Sequence, residues 1–286
     1  MDRPTLFADC TAAVVGQTKA FQERLLFDVA TWRQRLPANL NLQYHGHIGL
    51  AVGDVNGDGL EDVYLCQPGG LPNVLLLHQP DGTVVEAGAE AGVDILNYTR
   101  GALLVDLDND GDQDLILTLI DHLAFYANDG RGRFVSKAEL PFVRGAYSIS
   151  AADYDGDRDL DVYVCRHRAD GHDKDEFPVP YPYYEANNGG QNYFLRNDGQ
   201  WQFTDATAEV GLDADNSRFS FASSWEDFDN DGDLDLYVAN DFGHNALYRN
   251  EGGKFVSVAE EIGLEDAAFG MSVSWGDYNR DGLMDL

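Results

Sequence analysis

The sequence predicts an all-β fold, a β-propeller of four-stranded blades, on three observations. An acidic stretch recurs five times, as DVNGDGLED, DLDNDGDQD, DYDGDRDLD, DFDNDGDLD and DYNRDGLMD. Its first residues, Asp54, Asp106, Asp153, Asp227 and Asp277, are 52, 47, 74 and 50 residues apart. Each interval repeats the same order of apolar runs and turns. A period near 50 residues marks a solenoid or propeller, in which one unit cannot bury its own faces. Four strands in a unit of that length make a propeller blade. Parallel β-helices repeat over far fewer residues, and sandwiches have no such period.

Within a unit the first strand is small and apolar, as in IGLAV before Asp54 and GALLV before Asp106. Its small members (Gly49 and Ala51, Ser148 and Ser150, Ser272 and Ser274) suit the innermost strand, where blades converge on an axis. After the acidic stretch come VYLC, LILT, VYVC and LYVA, apolar on both faces and too short for helices, hence strands buried on both sides. The third and fourth strands form a hairpin, with alternating runs around a Gly-containing turn, as in HLAFYANDGRGRFVS and NALYRNEGGKFVSVA. A segment such as AEAGV, AEVGL or EEIGL ends most units.

Residues 1–286 are therefore expected to be a single propeller domain with two interruptions. Residues 17–35 carry helical apolar spacing and form an insertion before the first inner strand. Residues 166–190 lengthen the third unit with a polar, aromatic and Pro-rich loop, the kind of surface segment that carries specificity. The N-terminal LFADCTAAVVG matches QFTDATAEVGL, a fourth strand and its following turn, and Leu286 directly follows the fifth acidic stretch. The expectation is a fragment, whose first blade is completed by later sequence so that the ring leaves no open sheet edge.

So many carboxylates within nine residues repel one another unless a cation neutralises them. Side chains at stretch positions one, three, five and nine, with a backbone carbonyl at position seven, converge if the chain turns sharply at position six. That all-oxygen set suits Ca²⁺, whereas Mg²⁺ demands stricter octahedral geometry. Zinc is disfavoured because no Cys or His falls inside the stretches. Site one is then Asp54, Asn56, Asp58 and Asp62, with the carbonyl of Leu60; site two is Asp106, Asp108, Asp110 and Asp114, with that of Asp112. Site three is Asp153, Asp155, Asp157 and Asp161, with Asp159 at position seven; site four is Asp227, Asp229, Asp231 and Asp235, with Asp233. Site five is Asp277, Asn279, Asp281 and Asp285, with Leu283. Up to five Ca²⁺ ions are expected.

Position six is Gly59, Gly111, Gly232 or Gly282 in four sites, as a left-handed turn requires, but Arg158 in the third, which is expected to be the most strained or weakest. An EF-hand is excluded, because position twelve is Leu65, Leu117, Val164 or Val238 and not a bidentate Glu. An unliganded acidic turn is the alternative, and five copies in one register weigh against it.

The formal charge of −31 and the lack of a basic cluster exclude nucleic acid as a partner. No apolar run approaches the roughly 18 residues of a membrane span. The start, MDRPTLFADC, lacks the apolar core of a signal peptide, so either the protein is not exported or its leader precedes this sequence. Three cysteines make no disulfide framework, and Cys66 and Cys165 are expected to be buried free thiols.

The repeats resemble the FG-GAP/VCBS repeats of integrin α-chain propellers and of many secreted bacterial proteins. The segment Ser224–Leu264, SWEDFDNDGDLDLYVANDFGHNALYRNEGGKFVSVAEEIGL, is similar to the cartilage-acidic-protein family, whose bacterial members often carry a C-terminal ASPIC/UnbV domain. The resemblance implies calcium on the loop carboxylates, a propeller of about seven blades of which four to five are represented here, and a secreted, cell-surface or periplasmic location. Arg158 and the two insertions depart from the pattern.

Two functions stay open: an extracellular binding or adhesion module for protein or glycan, expected to be monomeric and without membrane insertion, or a calcium-dependent polysaccharide-processing enzyme or the non-catalytic propeller of one. No catalytic set stands out. His167, His172, Asp173 and Asp175 are expected to be a solvated charged loop, His45 and His47 structural, and Asn240, Asp241 and His244 a polar turn. The aromatics Phe177, Tyr181, Tyr183 and Tyr184 could stack on sugar rings or cover a blade edge. No Gly-rich phosphate loop, GxSxG or HExxH occurs.

Overall fold

The computed structural model describes residues 8–27, 31–32, 34–35, 49–168, 179–267 and 269–286. Among the described residues sixteen strands form four antiparallel sheets, each in plain sequence order. Blade one contains β1 (Leu50–Gly53), β2 (Asp62–Leu65), β3 (Val74–His78) and β4 (Val84–Glu86). Blade two contains β5 (Thr99–Val105), β6 (Asp114–Leu119), β7 (Leu123–Asn128) and β8 (Phe134–Leu140). Blade three contains β9 (Ala146–Ala152), β10 (Asp161–Arg166), β11 (Tyr193–Asn197) and β12 (Phe203–Asp205). Blade four contains β13 (Ser220–Glu226), β14 (Asp235–Asn240), β15 (Ala246–Asn250) and β16 (Phe255–Ser257). The fifth unit contributes an antiparallel bridge, Gly276 to Asp285.

The burial gradient across each sheet is that of a propeller. Every residue of β6, β10 and β14 is buried, because both faces of those strands meet a neighbouring blade, whereas β12 and β16 are largely exposed. Inner strands lie side by side, and small residues make this possible. The Gly49 amide donates to the Arg100 carbonyl at 2.7 Å, and a Cβ on Gly49 would lie 2.8 Å from the Gly101 Cα. The Ser148 hydroxyl donates to the Phe221 carbonyl, and Ser150 and Ser223 share a hydrogen bond, each at 2.8 Å.

Each pair of neighbouring blades shares its own apolar core. Tyr64 and Leu75 of blade one pack with Leu115 and Leu117 of blade two, Phe125 of blade two stacks on Phe203 of blade three, and Phe194 of blade three packs on Trp225 of blade four. Within residues 17–35, Phe21–Leu25 forms one π-helical turn. The preceding Ala20 is buried against Val74 and Leu76, on the face of blade one turned away from blade two, and the Glu86 carboxylate accepts the Ala20 amide and pairs with Arg24. The likeness between the N-terminal segment and residues 202–212 is also structural. Asp9 accepts the Thr11 amide at the start of the helical turn Thr11–Val14, as Asp205 accepts that of Thr207 before Thr207–Val210. Cys66 and Cys165 are buried and unbridged, as expected.

One side chain ties each blade to the one before it. The asparagine ending the third strand sends its amide back to the second residue of the preceding acidic loop: Asn128 to the Val55 carbonyl, Asn197 to Leu107 and Asn250 to Tyr154, at 2.8, 3.0 and 2.8 Å. The same amide nitrogen also donates to its own blade's loop, at Gln113, Leu160 and Leu234. Removing it leaves buried carbonyls unpaired, at roughly 1–3 kcal/mol. Asn197→Ala and Asn250→Ala are each expected to lose about that much stability in urea unfolding, and losses below about 0.5 kcal/mol would show that the contact does not join the blades.

Candidate metal centre

The acidic stretches link first to second strands, so all lie at the same end of their blades. Their backbone is held by one repeated set of bonds. In all five, the amide at position six donates to the first aspartate: Gly59 to Asp54, Gly111 to Asp106, Arg158 to Asp153, Gly232 to Asp227 and Gly282 to Asp277, at 2.8–3.0 Å. The amide at position seven donates to position five: Leu60 to Asp58, Asp112 to Asp110, Asp159 to Asp157, Asp233 to Asp231 and Leu283 to Asp281. Position six is left-handed in every loop, with φ of +83, +94, +80, +101 and +86°. Position four is left-handed too, at Gly57, Asn109, Gly156, Asn230 and Arg280, a second turn that sequence reasoning missed. The Gly/Asn pattern at the first four of those sites was its visible signal.

Position nine opens the second strand and is almost fully buried: Asp62, Asp114, Asp161 and Asp235 are 0, 0, 2 and 1% exposed. One carboxylate oxygen accepts the amide that closes the third strand, from His78, Asn128, Asn197 and Asn250, each at 2.8–2.9 Å. The other accepts the amide of loop position two, from Val55, Leu107 and Phe228, and in loop five Asp285 accepts that of Tyr278. Burial pushes these acids up despite the amides: Asp114 and Asp235 to about 6, Asp161 to about 7, and Asp62 in the same direction. The neighbouring loop aspartates push the same way.

Positions one, three and nine converge. The oxygens of Asp106, Asp108 and Asp114, of Asp153, Asp155 and Asp161, and of Asp227, Asp229 and Asp235 lie within 4.8 Å of one another in each triplet, close enough to hold one metal ion. Asp106 Oδ1 is buried without a hydrogen-bond partner, the state a cation relieves. Loops one and five place the neutral oxygens of Asn56 and Asn279 at position three. The position-five acids Asp110, Asp157 and Asp231 stand outside the triplets. Side chains at position seven turn to other partners: Asp233 accepts the Gly252 amide of the β15–β16 turn at 2.9 Å, and Asp159 accepts the Asn109 amide at 2.7 Å.

One expectation is overturned at the opposite end of the blades. His167 is not in a solvated loop. It is 5% exposed, bonded through Nε2 to Asp241 at 2.9 Å and surrounded by the rings of Tyr147, Phe219, Phe221 and Phe242. The sequence hid this because the histidine lies just past β10, where the chain still runs between blades three and four. Asn240 and His244 do form a polar turn, with the Asn240 side chain donating to the His244 carbonyl, but Asp241 leaves it for His167. His45, His47, His172, Asp173, Asp175 and Phe177 lie outside the described residues.

Arg158 holds a backbone conformation that costs an L side chain about 1–2 kcal/mol. Arg158→Gly is therefore expected to raise the melting temperature by roughly 2–4 °C, measured without added metal, and an unchanged or lowered midpoint would contradict strain at this turn.

The family described as FG-GAP-like repeat matches residues 54–117, 106–164 and 227–286, more than half of the chain. Over 128 residues the chain is 30% identical to Cartilage acidic protein 1 of Xenopus tropicalis, covering 42% of this chain and 20% of that protein. The chain thus spans about a fifth of that relative's length. Among solved structures it is similar to an Agrocybe aegerita lectin that recognises non-reducing terminal N-acetylglucosamine, at TM-score 0.41 and 18% identity, covering 77% of this chain and 52% of the lectin. It is also similar to the rhamnogalacturonan lyase PL11 of Bacillus licheniformis, at TM-score 0.39 and 15% identity, over 81% and 48% of the two chains. The three matched repeats, which together cover more than half of the sequence, place the chain in the FG-GAP-like repeat family.

Proposed function

We propose that this chain is a calcium-stabilised binding module that presents a rigid propeller surface to an extracellular protein or glycan, acting as a secreted or cell-surface monomer. The observation that carries the reading is the convergence of three carboxylates, one of them buried, in each of three loops. Calcium is the ion best matched to it: the donors are all oxygen, and backbone carbonyls at position seven extend the set toward the six to eight that Ca²⁺ takes. With the ion bound, the loops become fixed corners, and the opposite ends of the blades are free to vary. No helix among the described residues is long and apolar enough to cross a membrane.

Catalysis is the weaker reading. The buried acid–base pair outside the acidic loops, His167 with Asp241, is closed in by four aromatic rings, which favours a structural pin between blades.

Calcium linkage tests the proposal. A site filled at 100 times its Kd adds about 2.7 kcal/mol, so millimolar calcium is expected to raise the melting temperature above that in EGTA by roughly 5 °C or more. Protons compete for the same oxygens. In the metal-free protein the raised acids favour the protonated form, so ionisation removes stability as pH climbs from the ordinary carboxylate range through about 6 to 7. The calcium-induced rise should therefore be largest above pH 7 and shrink as pH falls below 6. Identical melting curves in calcium and EGTA at neutral pH would defeat the calcium reading.

A further inference from the structure

We propose that Tyr181, Tyr183, Tyr184 and Phe269 form a carbohydrate platform at the end of the blades opposite the acidic loops, taking a short neutral oligosaccharide. The proposal rests on the binding-module reading and names its ligand class.

These four large rings are left in water, at 85, 52, 48 and 57% exposure. Tyr183 meets both Tyr184 and Phe269, the latter far off in sequence, and Tyr181 stands two residues before Tyr183. Tyr183 stacks on Phe269, with ring centres 5.7 Å apart and planes at 15°, and Tyr184 stands at 89° to Tyr183, 5.5 Å away. Phe269 in turn meets Phe242 edge-on at 5.6 Å, and Phe242 meets the buried Phe219 at 5.5 Å. The exposed rings are the outer end of an aromatic stack rooted in the core.

The backbone beneath them is fixed by approaches that admit only glycine. The Gly243 amide donates to the Tyr183 carbonyl at 2.8 Å, and a Cβ on Gly243, whose φ is +83°, would lie 2.3 Å from the Ala186 carbonyl oxygen. The Gly189 amide donates to the Ser217 carbonyl, and a Cβ there would lie 2.3 Å from the Arg218 carbonyl oxygen. The rings are thus presented before a ligand arrives, which removes most of the ordering cost of binding.

Area and charge select the occupant. Together the four residues expose roughly 400–600 Å² of aromatic surface, short of the ~800 Å² per partner of a stable protein interface. It matches an oligosaccharide of two or three rings, whose C–H faces are weakly positive and pack on the negative faces of aromatic rings. The chain carries −31, Glu185 directly follows Tyr184, and Arg218, the cation beside Gly243, is already paired with Asp215. An anionic polysaccharide would be repelled.

The test is a glycan array probed in saturating calcium with neutral β-glucan, mannan, galactan and chitin fragments beside polygalacturonate and dextran sulfate, followed by calorimetric titration of the best neutral probe. One neutral class should bind. Tyr181→Ala and Tyr184→Ala should each weaken it about tenfold and the double variant should abolish it, with the melting temperature and its calcium response unchanged. The platform is overturned if no neutral fragment binds, if only the anionic polymers bind, or if the double variant binds as well as the parent. A protein ligand captured by the parent, lost in the double variant and accompanied by no sugar binding, overturns the glycan assignment while leaving the binding module standing. Neither sugar nor protein binding would overturn both, and the calcium-linked melting shift would still be read separately.

Discussion

The buried aspartate at the ninth position of the first four acidic loops is the constraint on which the rest of the structure depends. Its two oxygens join the loop to the third strand of the same blade: Asp114 accepts the amides of Leu107 and Asn128, and Asp235 those of Phe228 and Asn250. The asparagine so held then reaches back to the preceding loop, as Asn250 does to Tyr154. Loop, blade and neighbouring blade are therefore set by one carboxylate and one side-chain amide. A negative charge at 0–2% exposure must be neutralised. In the metal-free chain burial drives these acids toward protonation, and the two further acids beside Asp114, Asp161 and Asp235 offer a divalent ion in place of the proton.

That arrangement divides the chemistry between the two ends of the blades. At one end the loops repeat almost atom for atom, with the same amide bonds and the same two left-handed residues. At the other end the repeats diverge. Blade three carries the long insertion, His167 is locked against Asp241, and exposed tyrosines gather over Phe242 and Phe269. A surface of that kind can change its ligand without disturbing the corners that hold the blades in place.

Most of the fold was legible because its signals are local and repeated. The runs LILT, VYVC and LYVA are apolar on both faces, and the strands containing them are buried throughout. Glycine at position six announced a left-handed turn, and Arg158 occupies it at φ +80°. What escaped the sequence depends on distance. Nothing near His167 marks it as buried, since the rings around it come from β9, from the start of β13 and from beyond β14. The reach of Asn197 to Leu107 spans 90 residues, and the asparagine looks from its own blade like one more turn residue. The position-seven acids were equally ambiguous, for only the fold shows Asp233 turned toward Gly252.

The most direct measurement is a diffraction map of the protein crystallised with calcium, read with anomalous differences at the loops. The account predicts a peak at each of the Asp106, Asp153 and Asp227 loops, with oxygens of positions one, three and nine at about 2.3–2.6 Å. Loops of unchanged conformation containing only water, or a cation held elsewhere than by the position-nine aspartates, would contradict it.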